Sequence, residues 1–505
     1  MVKNNKIILR AILLASYIFL LIVLIFLIST LFNYLNTGAD RSKILHTEIK
    51  TIEQYSPKIY WALEKNEESN IDEQTLKELE KDYLNAWFVK QIAFKTNSLI
   101  GIKDHYTKKA KSTIFKNIKN NKKDKITIES TSLQHHVNIQ FFNKFTHMAV
   151  LKDTGVVEYK KILKNNVTIL QTTEKSNYTV ILLLEDGVWR IRHLTKESSS
   201  ELLPKSTSLK VKSSNIKGIN YYPQKNPWDL FGKDFNLQEI KKDLEIIKNA
   251  DLNVIRIFIP YEDFGKANVK ETKLKKLEQV LQIAKKNELK VIVTLFDFYG
   301  NYDVLDWTLT QKHLHKIISR FKNNKTIFAW DIKNEPDLDF SSRKKENVIA
   351  WLKHMILYLR SIDKTHPVTI GWSNTESAPL LENMVDFISF HYYKEPRFFE
   401  EDYLFLRKKT TGKPLFLGEF GFSSYQGFWR PTGNYEYKQA TYHKEMQLII
   451  KKNKIPFLSW TLYDFDTIPS SVVGVLPWRK NLQKKFGFIS NTGVKKPAYK
   501  YISSP

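Results

Sequence analysis

At 505 residues the chain exceeds one ordinary domain and predicts two or three. A hydrophobic content of 42% with 13% aromatics suffices for large cores and excludes a disordered chain. The lack of cysteine excludes disulfides, thiolate metal sites and cysteine nucleophiles, and the net charge of +26 reads as a lysine-rich solvated surface, or as attraction to anionic lipid or acidic polymers.

Residues 1–10 carry Lys3, Lys6 and Arg10, and the stretch from Ala11 to Phe32 is uncharged and almost wholly apolar. A bilayer span needs roughly 20 such residues, so 11–32 predicts a transmembrane anchor. It is longer than the apolar region of a cleaved signal peptide, about 7–15 residues. The positive-inside rule then places the N-terminus in the cytoplasm and the remainder of this single-pass chain outside it. With the bulk outside and no recognised nucleic-acid module, no nucleic-acid partner is expected.

Residues 33–195 predict a helical stem followed by an α+β domain. From Asp40 to Lys119 the pattern reads as helical, with Leu76, Leu79, Tyr83, Leu84, Trp87 and Phe88 near one stripe. From Lys125 to His193 it changes to seven short β-rich runs, with a hairpin signal at Glu185-Asp186-Gly187 before the last. Helices followed by strands predict helices packed on a curved sheet. His135 and His136 alternate across a strand and cannot both face one interior. Residues 82–87, 104–110 and 185–191 resemble ketosteroid-isomerase-like, nuclear-transport-factor-like domains. That resemblance covers 74–195 and implies a small cone, serving as spacer, docking surface or glycan-binding module with a protein or glycan partner. Residues 196–214, rich in Ser and Lys, read as a linker or an entering edge strand.

Residues 215–505 alternate eight apolar strand-like runs with amphipathic helical segments, which predicts a (β/α)8 barrel. Two runs end in a glutamate: IFAWDIKNEP gives Glu335, and PLFLGEFG gives Glu419. A carboxylate at the C-terminal end of a barrel strand sits where barrel enzymes keep their chemistry, and a pair of carboxylates is what glycoside hydrolysis requires. Asp331, earlier in the first run, reads as structural. No metal-ligand spacing and no phosphate loop occurs, so no metal and no cofactor is expected.

These residues resemble glycoside hydrolase family 5, in the order Arg256 on strand two, Asn334-Glu335-Pro336 after strand four, His391 and Tyr393 after strand six, Glu419 on strand seven and Trp460 on strand eight. The resemblance covers about Ile216 to Tyr501 and implies a retaining β-glycosidase. It gives Glu335 the acid/base role and Glu419 the nucleophile role. Arg256 and Tyr393 would hold Glu419, and Asn334 would bond the sugar 2-hydroxyl. His391 would bind substrate or orient the carboxylates, and Trp460 would floor the sugar site. The run after strand three, with Asp297 and Tyr299, lacks the histidine many family members carry there. The expectation is therefore a membrane-anchored glycosidase acting on an extracytoplasmic β-linked glycan. The alternatives are a glycan-binding or assembly protein with an unproductive barrel, or a transglycosylase.

Overall fold

The computed structural model describes residues 13–29, 55–62, 71–202, 209–212, 215–410, 412–427 and 434–505. Residues 13–29 are helical, with apolar side chains exposed from Leu13 to Ile28. Among the described residues no helix is long and apolar enough to cross a membrane. The transmembrane helix expected over 11–32 is therefore not found; residues 11–12 and 30–32 lie outside the described residues, as do 33–54 of the expected stem.

The first domain contains strand β1 (Lys58–Ala62), helices α1 (Glu73–Thr96) and α2 (Lys108–Lys123), and strands β2 (Ile126–Asn143), β3 (Met148–Lys164), β4 (Val167–Glu185) and β5 (Val188–Glu201). The strands form one sheet in the order β1-β2-β3-β4-β5, and α1 packs on it through Leu79, Tyr83, Ala86 and Trp87. Two expectations change here. Residues 58–62, read as helical, form a strand parallel to β2, as suits the aromatic and β-branched run KIYWA. The β-rich runs also merge into longer strands, because the polar interruptions at Ser132, Asp153–Val156 and Asn177 are carried as register shifts rather than turns. Strand β5 takes residues 196–201 from the expected linker into the first domain's own sheet, paired with β4 rather than entering the barrel.

The second domain is a closed barrel of parallel strands. In chain order these are β6 (Lys217–Asn220), β7 (Val254–Pro260), β8 (Lys290–Asp297), β9 (Ile327–Asn334), β10 (Val368–Trp372), β11 (Ile388–Tyr392), β12 (Leu415–Phe420) and β13 (Phe457–Ser459), with β13 pairing back to β6. The main outer helices are α3 (Leu237–Asn249), α4 (Glu271–Lys286), α5 (Trp307–Phe321), α6 (Lys345–Ile362), α7 (Pro396–Lys409) and α8 (Tyr435–Asn453). Both faces of the strands are covered, so β7, β10, β11 and β12 are buried at every residue.

Inside the barrel, Val254, Ile292, Ala329, Phe387, Phe416 and Leu458 pack as one apolar cluster. Strand residues two apart face the same side, so Arg256, Thr294 and Asp331 form the next layer up. The apolar layer closes the N-terminal end, and the polar layer supports the C-terminal mouth.

Candidate active site

Arg256 is the hub of the polar layer and is only 2% exposed. Its guanidinium donates through Nε to Thr294 Oγ1 (3.1 Å) and Asp331 Oδ2 (3.1 Å), and through Nη2 to Asp331 Oδ2 (2.6 Å) and Asn334 Oδ1 (2.9 Å). Nη1 donates to Asn220 Oδ1 (3.0 Å) and Glu419 Oε1 (2.7 Å). A buried guanidinium needs all its donors satisfied. Burial opposes its charge, but Asp331 and Glu419 outweigh that and raise its pKa further. Asp331 is fixed in turn, accepting from Thr294 Oγ1 (2.8 Å) and the Gly371 amide (2.9 Å). Asn220 donates to the carbonyls of Gly418 (2.9 Å) and Ser459 (3.2 Å), tying β6 to β12 and β13.

Glu419 lies on β12, and each of its oxygens accepts a hydrogen bond. Arg256 binds Oε1, and the Tyr393 hydroxyl donates to Oε2 at 2.8 Å. Tyr393 is 43% exposed as a residue, with its hydroxyl held on Glu419. Burial, then Glu419 and Glu335, push its pKa well above that of an ordinary phenol, so it remains a donor. Glu335 follows β9 with φ 47° and ψ 52°, a left-handed conformation unfavourable by roughly 1–2 kcal/mol for a residue with a Cβ. Its amide donates to the Gly371 carbonyl at 2.7 Å. His391 Nδ1 lies 2.9 Å from Glu335 Oε1 and 3.6 Å from Glu419 Oε2. With Glu335 ionised this contact takes a ring proton on Nδ1; with Glu335 protonated the carboxyl donates to Nδ1 instead.

One ligand atom from each of Glu335, His391 and Glu419 falls within 4.8 Å of the others. The same three could surround a cation, but Arg256 and Tyr393 already occupy the oxygens of Glu419, and the guanidinium opposes a second positive charge. The arrangement fits two carboxylates facing one reacting centre better than a metal site.

Above this layer opens a cavity of about 490 Å³. Asn334, Glu335, Tyr393, Glu419 and Trp460 line it, so five of the seven expected residues face it directly. Arg256 and His391 lie beneath, touching it through the carboxylates. Asn334 presents its oxygen to Arg256, which turns its amide nitrogen elsewhere. Trp460 packs beside Trp228 (centroids 5.6 Å apart) and Tyr222 (6.2 Å), and its peptide bond to Thr461 is cis. Tyr222, Trp228 and Phe298 also line the cavity, whereas Tyr299 turns away to stack on Trp351 at 4.8 Å. Asp297 lines the cavity at 2% exposure and accepts from the Tyr222 hydroxyl at 3.2 Å.

The sequence reading missed Asn220 and Thr294, and gave Asp331 no part in the site. A buried polar residue inside an apolar strand was the available signal for all three. Gly371 was missed as well: a Cβ there would meet Arg256 Nη2 at 2.7 Å and His391 Nε2 at 3.3 Å, so the guanidinium needs this position bare.

Residues 209–466 match the cellulase family, glycosyl hydrolase family 5. Mannan endo-1,4-β-mannosidase A of Emericella nidulans is 22% identical over 209 residues, covering 33% of this chain and 54% of that protein. Mannan endo-1,4-β-mannosidase 2 of Arabidopsis thaliana is 27% identical over 164 residues, covering 25% of this chain and 37% of that protein. The chain thus spans about half the length, or less, of these curated relatives. Among solved structures, an exo-β-1,4-mannosidase from an Opitutaceae bacterium superposes with a TM-score of 0.49 at 15% identity, covering 60% of this chain and 61% of that chain.

Proposed function

This chain belongs to glycosyl hydrolase family 5, and from that premise we propose that it is a retaining β-glycoside hydrolase. The observation that carries the proposal is the carboxylate pair. Glu335 and Glu419 stand at the C-terminal ends of different barrel strands, with one oxygen of each within 4.8 Å of the other as nearest approach. Retaining enzymes hold their carboxyl groups about 5–5.5 Å apart, and inverting ones about 6.5–9.5 Å to admit a water. The shorter spacing supports a nucleophile.

In this reading Glu419 attacks the anomeric carbon, aimed by Arg256 and Tyr393. Glu335 protonates the departing oxygen and then deprotonates the incoming water. His391, bonded to Glu335, orients that carboxyl group. Asn334 offers its amide to the sugar 2-hydroxyl, and Trp460 lies under the ring. The names of the curated relatives support a β-1,4-mannan type of glycan as the first substrate to try.

The uncharged stretch 11–32 behind Lys3, Lys6 and Arg10 supports a membrane anchor with the barrel outside the cytoplasm. The helices of the first domain on its five-stranded sheet are compatible with a nuclear-transport-factor-like module that docks a glycan or protein.

The test is turnover of β-mannans, β-glucans and β-xylans by the full chain, scored as new reducing ends, beside Glu419→Gln. Loss of either carboxylate from such a pair removes several orders of magnitude of rate, so activity on one polymer should vanish in the variant. Binding of a glycan by both proteins without turnover would favour the binding-protein alternative. Products longer than the substrate would favour the transglycosylase.

A further inference from the structure

A second cavity, of about 480 Å³, opens where the first domain meets the barrel, and it shares no lining residue with the cavity above the carboxylates. Helix α5 supplies one wall. Its Thr308, Gln311, Lys312, His315 and Lys316 recur at three- and four-residue steps and so share a face. Ser56 and Lys58, where the chain enters β1, supply another wall. The Ser56 amide donates to Thr308 Oγ1 (3.2 Å), and Lys312 Nζ donates to Ser56 Oγ (2.7 Å). These two hydrogen bonds fasten the walls across the junction.

The charge of this cavity is one-sided. Lys58, Lys312 and Lys316 line it, and among the described residues no aspartate, glutamate or arginine does. None of the three lysines is ion-paired to a described carboxylate. Glu271, whose charge Lys316 reaches, is already held by Arg320. The field of Lys58 crosses the junction: burial, then the charges of Lys58 and Lys322, hold the His315 imidazole below its ordinary pKa. Gln311 adds a neutral group. It is 5% exposed, and among the described residues its side-chain amide has no hydrogen-bond partner. A buried amide without a partner costs free energy, and the cavity is where a partner can reach it.

Unbalanced ammonium groups in a concavity attract an anion. The fork of arginine suits a planar carboxylate, whereas lysine serves phosphate as a point charge. Lysines without arginine therefore favour phosphate. Three positive charges match two phosphate groups, each carrying about −1.5 to −2 near pH 7.

We propose that the junction cavity binds a ligand carrying two or more phosphate groups. Lys58, Lys312 and Lys316 are its counter-charges, and Gln311 donates its amide to a phosphate oxygen. Because the walls come from both domains, the bound anion bridges them and stabilises their docking. The site stands apart from the glycosidase reading and does not depend on it.

The test is calorimetric titration of the full chain, in an uncharged detergent, with inorganic pyrophosphate and with geranyl pyrophosphate. One molecule should bind per chain. Affinity should fall at least about tenfold in Lys58→Gln/Lys312→Gln/Lys316→Gln, given what three partly exposed charge pairs contribute. The matched variant Lys119→Gln/Lys122→Gln/Lys123→Gln, which removes the same charge from helix α2, should stay within about twofold of the unaltered chain. Gln311→Leu leaves the charge unchanged and should weaken binding by about tenfold through the lost hydrogen bond to a charged group. Binding of pyrophosphate with this pattern would uphold a soluble phosphate ligand. Binding of geranyl pyrophosphate alone with this pattern would uphold a lipid-borne one. Saturation by neither, equal weakening in the two triple variants, or unchanged affinity in Gln311→Leu would overturn the proposal. Tighter binding of citrate than of either pyrophosphate would overturn the phosphate assignment.

Discussion

At the scale of single residues, the site is an arginine whose every donor is committed, with the proposed nucleophile as one recipient. Asp331 takes the opposite side of the guanidinium and makes no direct contribution to the cavity lining, so it is a positioning residue. Asp331→Asn removes one charge from this buried pair and lets Arg256, and with it Glu419, shift. Misplacement by about 1 Å costs roughly 100-fold in rate, so kcat should fall by about that factor while KM changes little. A purely structural role would lower the melting temperature and leave kcat per folded molecule within about threefold, a difference that steady-state kinetics with a folding control resolves. Both carboxylates were legible in the sequence because each directly follows an apolar run. The contacts of Arg256 with Asn220, Thr294 and Asp331 were not, since they span 36 to 75 positions of chain and arise only when the barrel closes.

At the scale of elements, the eight strands were readable as apolar runs because both faces of each are covered. The long strands of the first domain were not, because their bulges look like turns. Register shifts also occur beside the site, between Thr369 and Gly371 and between Phe390 and His391, and they re-aim side chains at the mouth. Helix α3 carries a further consequence. Asp243 on its inner face accepts from the hydroxyls of Tyr221 (2.8 Å) and Tyr463 (2.6 Å) and is 3% exposed. Burial raises its pKa to about 6, against the lowering effect of those two hydrogen bonds. A raised folded-state pKa means that the folded chain holds the proton more tightly than the unfolded one. The stability Asp243 contributes is therefore complete below about pH 4 and lost as pH rises through about 6, by up to about 3 kcal/mol. Buried His313, His354 and His443 act in the opposite sense, since burial lowers their pKa values to about 4, 3 and 3. Comparison with Asp243→Asn isolates the aspartate: the drop in its share of Tm between pH 4 and pH 7 should be absent in the variant. Parallel Tm profiles of the two proteins would refute this assignment.

At the scale of the whole molecule, the two domains share a core rather than hanging on a tether. Leu133 and Tyr159 of the first domain belong to the barrel's hydrophobic cluster, and Tyr159 packs on Trp307 at 4.4 Å between centroids. Lys161, 2% exposed, donates to Asn347 Oδ1 at 2.7 Å, with Glu129 and Glu346 each 3.8 Å away. Such a junction gives the first domain a fixed place on α5 and α6. The barrel was legible from the alternation of apolar runs with amphipathic segments; the docking of the first domain on it was not, because Tyr159 and Lys161 read as ordinary strand residues until their partners from the barrel arrive.

What unites the three scales is the claim that Glu419 is a nucleophile in a two-carboxylate site. Incubating the full chain with 2-deoxy-2-fluoro-β-glycosyl fluorides of glucose and mannose, followed by proteolysis and mass spectrometry, tests it most directly. The fluorine slows release of the covalent intermediate, so the account predicts a fluoroglycosyl adduct on the peptide containing Glu419, at that residue. An adduct on a different carboxylate, or turnover with inverted anomeric configuration and no adduct, would contradict it.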